Sequence, residues 1–326
     1  MKLIYKLSLL SDTNRNWLSV IVTVCIAGLL SLWGIYGIGE YGIALFILTP
    51  FLIGFCSVIL YGFRNEINRC DAVWIGYKTL GICTLGLIIF AIEGLICIVM
   101  DAPIGILLTW MGSLVGYHMV KKTTNSAPSI LLILIGIIPL TSFVESKIEP
   151  ELTSVTTSII IDAKPLDVWK NVIEFPQLEE PTEFIFKTGI AYPTNAKIKG
   201  EGVGAVRHCN FTTGSFVEPV TVWEEGKLLK FDVLEQPAPM KELSFWNIDA
   251  PHLHDYFVSK KGQFKLIELE NGKTLLQGTT WYYHNIKPAF YWQLWSDLII
   301  HKIHNRVLSH IKENSEKIIN KLTTDH

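Results

Sequence analysis

Three side chains near the carboxyl end of the chain have the types and spacing for acid–base or metal chemistry. Asp297, His301 and His304 lie at positions i, i+4 and i+7, which places them on one stripe of a helix. Two imidazoles and a carboxylate are ligand types of zinc and non-haem iron sites, and they also act as general acids and bases. A metal would usually need a ligand from elsewhere, such as His252 or His254. The alternative is a hydrogen-bonded Asp–His pair with a purely structural role.

A second set of reactive side chains lies on strand-like segments earlier in the chain. Cys209 has the thiol for nucleophilic chemistry if a base activates it, although a cysteine near Phe211 is more often a small apolar core residue. Arg207 and Glu218 are predicted to be close enough to form either a structural ion pair or a site for a ligand carboxylate or phosphate. No cofactor is expected, because the glycine-rich stretch 200–204 leads into a strand, whereas phosphate-binding loops open a helix.

Short alternating segments predict the sheet that carries these residues. A turn at 212–215 would place Cys209 opposite Glu218, and in the next hairpin Val220 would face Phe231. The predicted strands are 158–162, 197–199, 204–211, 216–223, 228–234, 263–269 and 274–283. One face of the two hairpins is expected to be buried and carries Ala205, Arg207, Cys209, Phe211, Phe216, Glu218, Val220, Val222, Leu229, Phe231 and Val233.

A long terminal helix is predicted over about 289–319, with Asp297, His301 and His304 within its apolar arc. These three polar side chains would therefore point towards the sheet. Trp281 and its aromatic neighbours are expected to line a cavity, to pack in the core or to anchor the domain at a membrane surface. For the hairpin 263–283 the inward face stays open, because both faces carry apolar residues.

Composition divides the chain into two halves that meet different solvents. Of the 326 residues 49 % are hydrophobic and 18 % charged, and the mean hydropathy is +0.34, which excludes a wholly soluble protein of ordinary composition. The half before residue 150 holds 17 charged residues and the half after it 41. The net charge is −2, so basic residues do not outnumber acidic ones. A nucleic-acid partner is therefore not expected.

Five apolar runs in the first half are long enough, or nearly so, to cross a bilayer. They cover 17–36, 41–63, 79–100, 103–120 and 128–144, within a transmembrane domain of residues 1–148. The last two are short, so four spans with an interfacial fifth segment is an open alternative. Glu93 is the one carboxylate within a predicted span, and a tight turn is expected at Asp101.

Basic residues predict the orientation of these spans. By the positive-inside rule, the connections that carry them are cytoplasmic. With five spans the N-terminus is then cytoplasmic, and the domain of residues 149–326 lies on the outer side of the cell membrane. The basic residues concerned are Lys2, Lys6, Arg15, Arg64, Arg69, Lys78, Lys121 and Lys122.

The second half resembles the START-like superfamily, also called SRPBCC or polyketide cyclase/dehydrase-like. A strand at 158–163, a helix carrying Val168 and Trp169, an antiparallel meander and a long final helix occur in that order. The stretches 189–193, 202–207, 216–219, 278–282 and 301–308 look most similar to bacterial membrane proteins of this group. The resemblance covers about residues 150–315.

This resemblance implies a helix-grip fold, in which a curved antiparallel sheet wraps around the C-terminal helix and encloses an apolar cavity. It includes lipid carriers as well as cyclases, so the fold alone does not choose a function. Our leading hypothesis is a membrane-anchored domain that binds a hydrophobic or amphipathic ligand, such as a lipid. The alternative is a membrane-bound cyclase- or hydrolase-like enzyme that uses the Asp/His/His cluster. The predicted ligand-binding residues are Arg207, Cys209, Phe211, Glu218, Phe231, His252, Trp281, Asp297, His301 and His304.

Overall fold

The computed structural model describes residues 10–122, 127–241, 243 and 251–324, and the chain forms two compact units. The first comprises Met1–Glu149 with the returning segments Glu242–Pro251 and Asn285–Ala289. The second comprises Pro150–Lys241, His252–His284 and Phe290–His326. The change of unit near residue 150 lies where charge becomes frequent in the sequence.

The first unit is built from apolar helices. Four segments are long and apolar enough to cross a membrane, namely Asp12–Ile38, Ala44–Gly62, Arg69–Ile89 and Leu95–Lys122, and a shorter apolar helix covers Ser129–Glu145. The helices are α1 (Asp12–Leu32, continued by the π-helical Trp33–Ile38), α2 (Thr49–Gly62, preceded by the π-helical Ala44–Leu48), α3 (Arg69–Ile89), α4 (Leu95–Lys122) and α5 (Ala127–Glu145).

Small residues let α2 and α4 approach closely. A Cβ atom added at Gly54 of α2 would lie 2.1 Å from the Thr109 carbonyl oxygen, and one added at Gly112 of α4 would lie 2.2 Å from that of Phe51. Neither position has room for a side chain, because the obstacle is backbone. Close backbone contact between small residues is typical of helix pairs in membranes, where apolar packing alone gives little preference for protein over lipid.

The break between the third and fourth long helices differs from the predicted one. The predicted span 79–100 is wrong, because the chain leaves the helix at residues 90–94, where Ala91 has φ +55°. The residues at this break are mostly apolar, so hydropathy does not reveal it. Asp101, expected in a turn, lies within α4, and Glu93, expected within a span, lies in the connection.

Of the basic residues that predict the orientation, Lys2 and Lys6 lie outside the described residues. Arg15 lies at the start of α1 and donates to the Asp12 carboxylate at 2.7 Å. Asp12 also accepts from the Tyr61 hydroxyl of α2 at 3.0 Å. A polar group therefore ties the first two helices together at this end.

The second unit is a curled seven-stranded antiparallel sheet with a long C-terminal helix. The sheet order is β1-β7-β6-β5-β4-β3-β2, so the first strand lies beside the last. Its elements are β1 (Thr153–Ile161), α6 (Pro165–Ile173), β2 (Pro193–Lys199), β3 (Val206–Phe211), β4 (Gly214–Glu224), β5 (Leu228–Asp232), β6 (Phe257–Glu268), β7 (Thr274–His284) and α7 (Ala289–Thr324). The predicted helix-grip fold class is confirmed.

Local sequence explains why α6 and α7 bury the faces they do. Pro165 begins α6, where its missing N–H and fixed φ are tolerated. Val168, Trp169 and Val172 follow at helical spacing and are buried in the core. From α7, the core receives Val307, Leu308 and Ile311.

The register of the β3–β4 hairpin corrects one prediction and refines the site. The turn contains only Thr212 and Thr213, since Gly214 already pairs with Phe211. Cys209 therefore pairs with Phe216, not with Glu218 as predicted. Arg207 lies directly opposite Glu218, and the predicted Val220–Phe231 pair is confirmed.

The structure also shows which face of the β6–β7 hairpin is inward. Tyr282, for example, is fully buried and accompanies the core residue Val155 of β1. Because side chains alternate along a strand, the residues at every second position of β7 share this face. They are Leu276, Gly278, Thr280 and Tyr282.

Candidate functional site

A cavity lies within the second unit, between the inner face of the sheet and α7. Its volume is about 120 Å³, which is below the range of about 300–1,000 Å³ found for sites of drug-sized molecules. Most of the exposed lining is apolar. Its main apolar side chains are Phe211, Phe216, Phe231, Phe257, Phe264 and Ile303.

Arg207 and Glu218 form a buried ion pair on the cavity wall. The Arg207 Nη1 group donates to a Glu218 carboxylate oxygen, and the two side chains are 2 % and 8 % exposed. Burial raises the pKa of Glu218, and the Arg207 guanidinium only partly offsets this. The two residues are paired across the neighbouring strands β3 and β4, so the sheet itself holds the two side chains together.

The guanidinium of Arg207 is also surrounded by aromatic rings. Its Cζ atom lies 5.7 Å from the ring centre of Phe175, 5.4 Å from that of Phe231 and 5.6 Å from that of Phe264. These distances are within the range of cation–π attraction. Within the described part of the chain, its Nε–H is buried without a hydrogen-bond partner. A ligand oxygen that reached this group would gain a charge-assisted hydrogen bond.

Cys209 lines the same cavity two residues further along β3. Burial raises the pKa of its thiol to about 12, and the nearby Arg207 guanidinium lowers it only in part. Since the thiolate is the nucleophile, this environment favours a small apolar side chain over a nucleophile. The candidate catalytic role of Cys209 stays a prediction that its surroundings do not favour.

His301 and His304 share one threonine hydroxyl. Thr157 Oγ1 of β1 lies 2.7 Å from His301 Nδ1 and 3.0 Å from His304 Nδ1. The other ring nitrogen of His304, Nε2, lies 2.8 Å from Thr280 Oγ1 of β7. Burial, and then the neighbouring His301, lower the pKa of His304 to about 4. His304 and Thr280 line the cavity, whereas His301 is exposed.

Asp297 has a separate partner. Its carboxylate accepts from the Tyr282 hydroxyl at 2.6 Å, and Tyr282 is fully buried on β7. Burial, and then the hydrogen bond to Asp297, raise the pKa of Tyr282. The helical stripe is thus present, but Asp297 and the two histidines engage different side chains of the sheet.

Other predicted binding residues lie elsewhere. His252 lies in the short 3₁₀ helix Pro251–Leu253 and does not line the cavity, and His254 is exposed. Trp281 is on the outward-facing set of β7, between the inward Thr280 and Tyr282. From the predicted list, those that do line the cavity are Arg207, Cys209, Phe211, Glu218, Phe231 and His304.

Sequence reasoning missed Thr157 and Thr280. A threonine in a strand-like run is expected there for its β-branched shape, so its hydroxyl gives no separate signal. These threonines could have been found only by combining the sheet order with the helix pattern. If β1 and β7 are neighbours, their inward-facing threonines face the polar stripe of the final helix.

No family model and no curated protein matches this chain. Among solved structures, norcoclaurine synthase of Thalictrum flavum is 12 % identical, covers 52 % of this chain and 98 % of its own, and has a TM-score of 0.34. The Zhui aromatase/cyclase of Streptomyces sp. R1128 is 10 % identical over 52 % and 96 % of the two chains, with a TM-score of 0.35. A protein of Nitrosospira multiformis is 17 % identical over 49 % and 94 %, with a TM-score of 0.33.

Scores of this size identify no relative, so the architecture rests on the sheet order and the C-terminal helix of the chain itself. The fold of the second unit is the one that the START-like resemblance implies. Membership of a bacterial membrane-protein subgroup stays a prediction.

Proposed function

We propose that the second unit binds a hydrophobic or amphipathic ligand, such as a lipid, in the cavity between its sheet and α7, and that the apolar helices anchor it in a membrane. The observation that carries this proposal is a half-enclosed cavity lined by five phenylalanine side chains. Apolar surface of this kind is stabilised when a ligand removes it from water.

The polar groups of the cavity favour an amphipathic ligand over a purely apolar one. Arg207 offers a buried Nε–H without a partner among the described residues, beside the apolar ring of Phe231. A ligand with an apolar body and one terminal oxygen acceptor would fit both features. A fatty acid is the simplest molecule of this class.

The membrane part of the proposal rests on the four long apolar helices. A chain anchored beside a bilayer would meet membrane-derived ligands at a raised effective concentration. We propose five spans, with α5 as the fifth, so that the second unit is on the outer side.

A matched pair of variants on α7 tests the ligand proposal. Ile303 lines the cavity, whereas Ile299, one turn earlier on the same helix, does not. Ile303→Trp fills part of the cavity, so we expect it to weaken binding of palmitate to the full chain in amphipol by at least about tenfold. Ile299→Trp is expected to leave binding unchanged. Native mass spectrometry measures both. Absence of any palmitate complex with the unmodified protein would contradict the proposal, as would equal losses in both variants.

An enzyme is the second candidate function, and His304 is the observation that favours it. Its neutral imidazole lies on the cavity wall, where a ring nitrogen can exchange a proton with a ligand, although a pKa of about 4 makes it a weak base. Asp297, by contrast, is engaged by Tyr282, so the acid–base role falls on the histidines.

A further inference from the structure

The Thr157 hydroxyl lies between an exposed histidine, His301, and one that lines the cavity, His304. Because it has a single proton, the directions of these two hydrogen bonds depend on each other. A threonine hydroxyl has one proton and two acceptor lone pairs. Thr157 Oγ1 is within hydrogen-bond distance of Nδ1 of both His301 and His304. It can donate to only one of them, so the other must carry its proton on Nδ1 and donate to Thr157.

Two arrangements satisfy every bond in this group. In the first, His301 Nδ1–H donates to Thr157, Thr157 donates to His304 Nδ1, and His304 Nε2–H donates to Thr280. In the second, each of these bonds runs in the opposite direction. A neutral His304 fits both, and burial holds it neutral. The two arrangements differ only in the position of the protons.

We propose that His301, Thr157, His304 and Thr280 form a proton relay that connects solvent to a ligand oxygen in the cavity. The relay rests on the proposed ligand binding for its purpose, but not for its existence. Its substrate would be a ligand whose oxygen gains or loses a proton while bound, such as an enolate or a phenol. His304 and Thr280 would be the residues at the cavity end.

The transfer balances without an added reagent. Thr280 gives its hydroxyl proton to the ligand oxygen and takes the Nε2 proton of His304. His304 takes the Thr157 proton at Nδ1, Thr157 takes the Nδ1 proton of His301, and His301 takes a proton from water at Nε2. One proton enters from solvent and one reaches the ligand. His304 is neutral before and after, and the reverse sequence removes a proton from the ligand.

Protonation of His301 fixes the direction of all the hydrogen bonds in the relay. An imidazolium carries protons on both nitrogens, so His301⁺ must donate to Thr157, which then donates to His304 and leaves His304 protonated on Nε2. Among the described residues, the other ionisable groups that line the cavity are Arg207, Cys209, Glu218 and Lys261, and further along the same stripe of α7 Asp297 accepts from Tyr282.

Nitrogen NMR of the full chain, labelled with ¹⁵N-histidine, tests the relay without any ligand. We expect the two His304 nitrogens of the unmodified protein to resonate between the values of a protonated and a bare ring nitrogen, because both arrangements are populated. Acidification that protonates His301 should shift His304 towards the Nε2–H form. Loss of the signal in His304→Gln assigns it among the nine histidines.

Removing the hydroxyl of Thr157 and removing that of Thr280 should fix His304 in opposite tautomers. A buried N–H without a partner is more costly than a bare acceptor. Thr157→Val should therefore give only Nε2–H, independent of the state of His301, and Thr280→Val only Nδ1–H. Thr156→Val is the control, because Thr156 bonds Thr279 at 2.8 Å on the other face of the sheet.

A single His304 tautomer in the unmodified protein that neither His301 protonation nor Thr157→Val changes would overturn the relay. This result would leave palmitate binding untouched as a separate question. Conversely, a mixed tautomer that responds as described would support the relay even if palmitate did not bind.

Discussion

Arg207 and Glu218 place two charges where solvent cannot reach them. Arg207→Met leaves the carboxylate of Glu218 buried without its partner, and the expected loss of unfolding free energy is about 3–5 kcal/mol. Denaturant unfolding of the full chain in detergent measures it. In the double variant Arg207→Met/Glu218→Leu no charge is left unpaired, so we expect a loss well below the sum of the single losses. Additive losses would show that the two residues do not act as a pair.

His304 should make the stability of the second unit depend on pH. Its pKa falls from 6.5 to about 4 on folding, so between these values the unfolded chain binds the proton and the folded chain does not. Stability is therefore full above pH 6.5 and is lost on acidification towards pH 4, by about 3 kcal/mol in total. Unfolding of the full chain across this range measures the loss. The His304→Gln variant should lack this part of the pH dependence, and an identical pH profile in both proteins would contradict the prediction.

Cys209 should be chemically inert in the folded protein. A rise of its pKa from 9.0 to about 12 lowers the thiolate fraction about a thousandfold, since each pKa unit is a factor of ten. Peptide mapping after iodoacetamide treatment should show rapid modification of the exposed Cys70 and almost none of Cys209 until the chain unfolds. Equal rates at the two cysteines in folded protein would mean that the cavity does not protect the thiol.

Among the elements, β7 and α7 share a short hydrogen bond between Tyr282 and Asp297. Tyr282→Phe removes the hydroxyl that donates to Asp297 at 2.6 Å, and a hydrogen bond to a charged group contributes about 1.5–3 kcal/mol. We expect an unfolding free energy lower by that amount. Tyr283→Phe, at the next position of the strand, is the control and should change it by less than about 0.5 kcal/mol. Similar losses in the two variants would show that the bond to Asp297 contributes little.

Elements were easier to predict from the sequence than the contacts between them. The alternation that carries Arg207 and Cys209 identified the strands and, as far as Val220, their buried face. The prediction that Val222 is on this face was wrong, because a bulge after Val220 places Trp223 against the core instead. The register of the hairpin was wrong because Gly214 was assigned to the turn, although it pairs with Phe211 as part of β4. That shift decides whether Glu218 faces Arg207 or Cys209, so a small error in turn length changes the chemistry of the site.

The candidate site was only partly predictable for a similar reason. Helical periodicity placed Asp297, His301 and His304 on one stripe, but periodicity cannot say which strand the stripe meets. The partners of these residues depend on β1 and β7 being neighbours, which is a property of the sheet order. Hydropathy likewise found the apolar helices and missed the break at 90–94, because apolar residues can leave a helix without any change in hydropathy.

For the whole molecule, the number of spans decides the side on which the second unit lies. Five spans from a cytoplasmic N-terminus place it outside, whereas four return it to the cytoplasmic side. We expect a reporter fused after His326 to be active on the outer side. The same reporter fused after Lys122, before α5, is the matched control and should be active in the cytoplasm. Cytoplasmic activity of both fusions would remove α5 from the set of spans.

The pairing of β1 with β7 has a consequence for how the chain is made. Among the strands that the structure describes, β1 is synthesised first, yet the one strand it pairs with, β7, is synthesised last. Until then its backbone groups have no strand partner, although the apolar helices before it have already left the ribosome. Such long-range pairing is slow and exposes an unpaired edge to other chains. A nascent chain that stalls before β7 would therefore be a target for chaperones and proteases, so that quality control acts before the cavity exists.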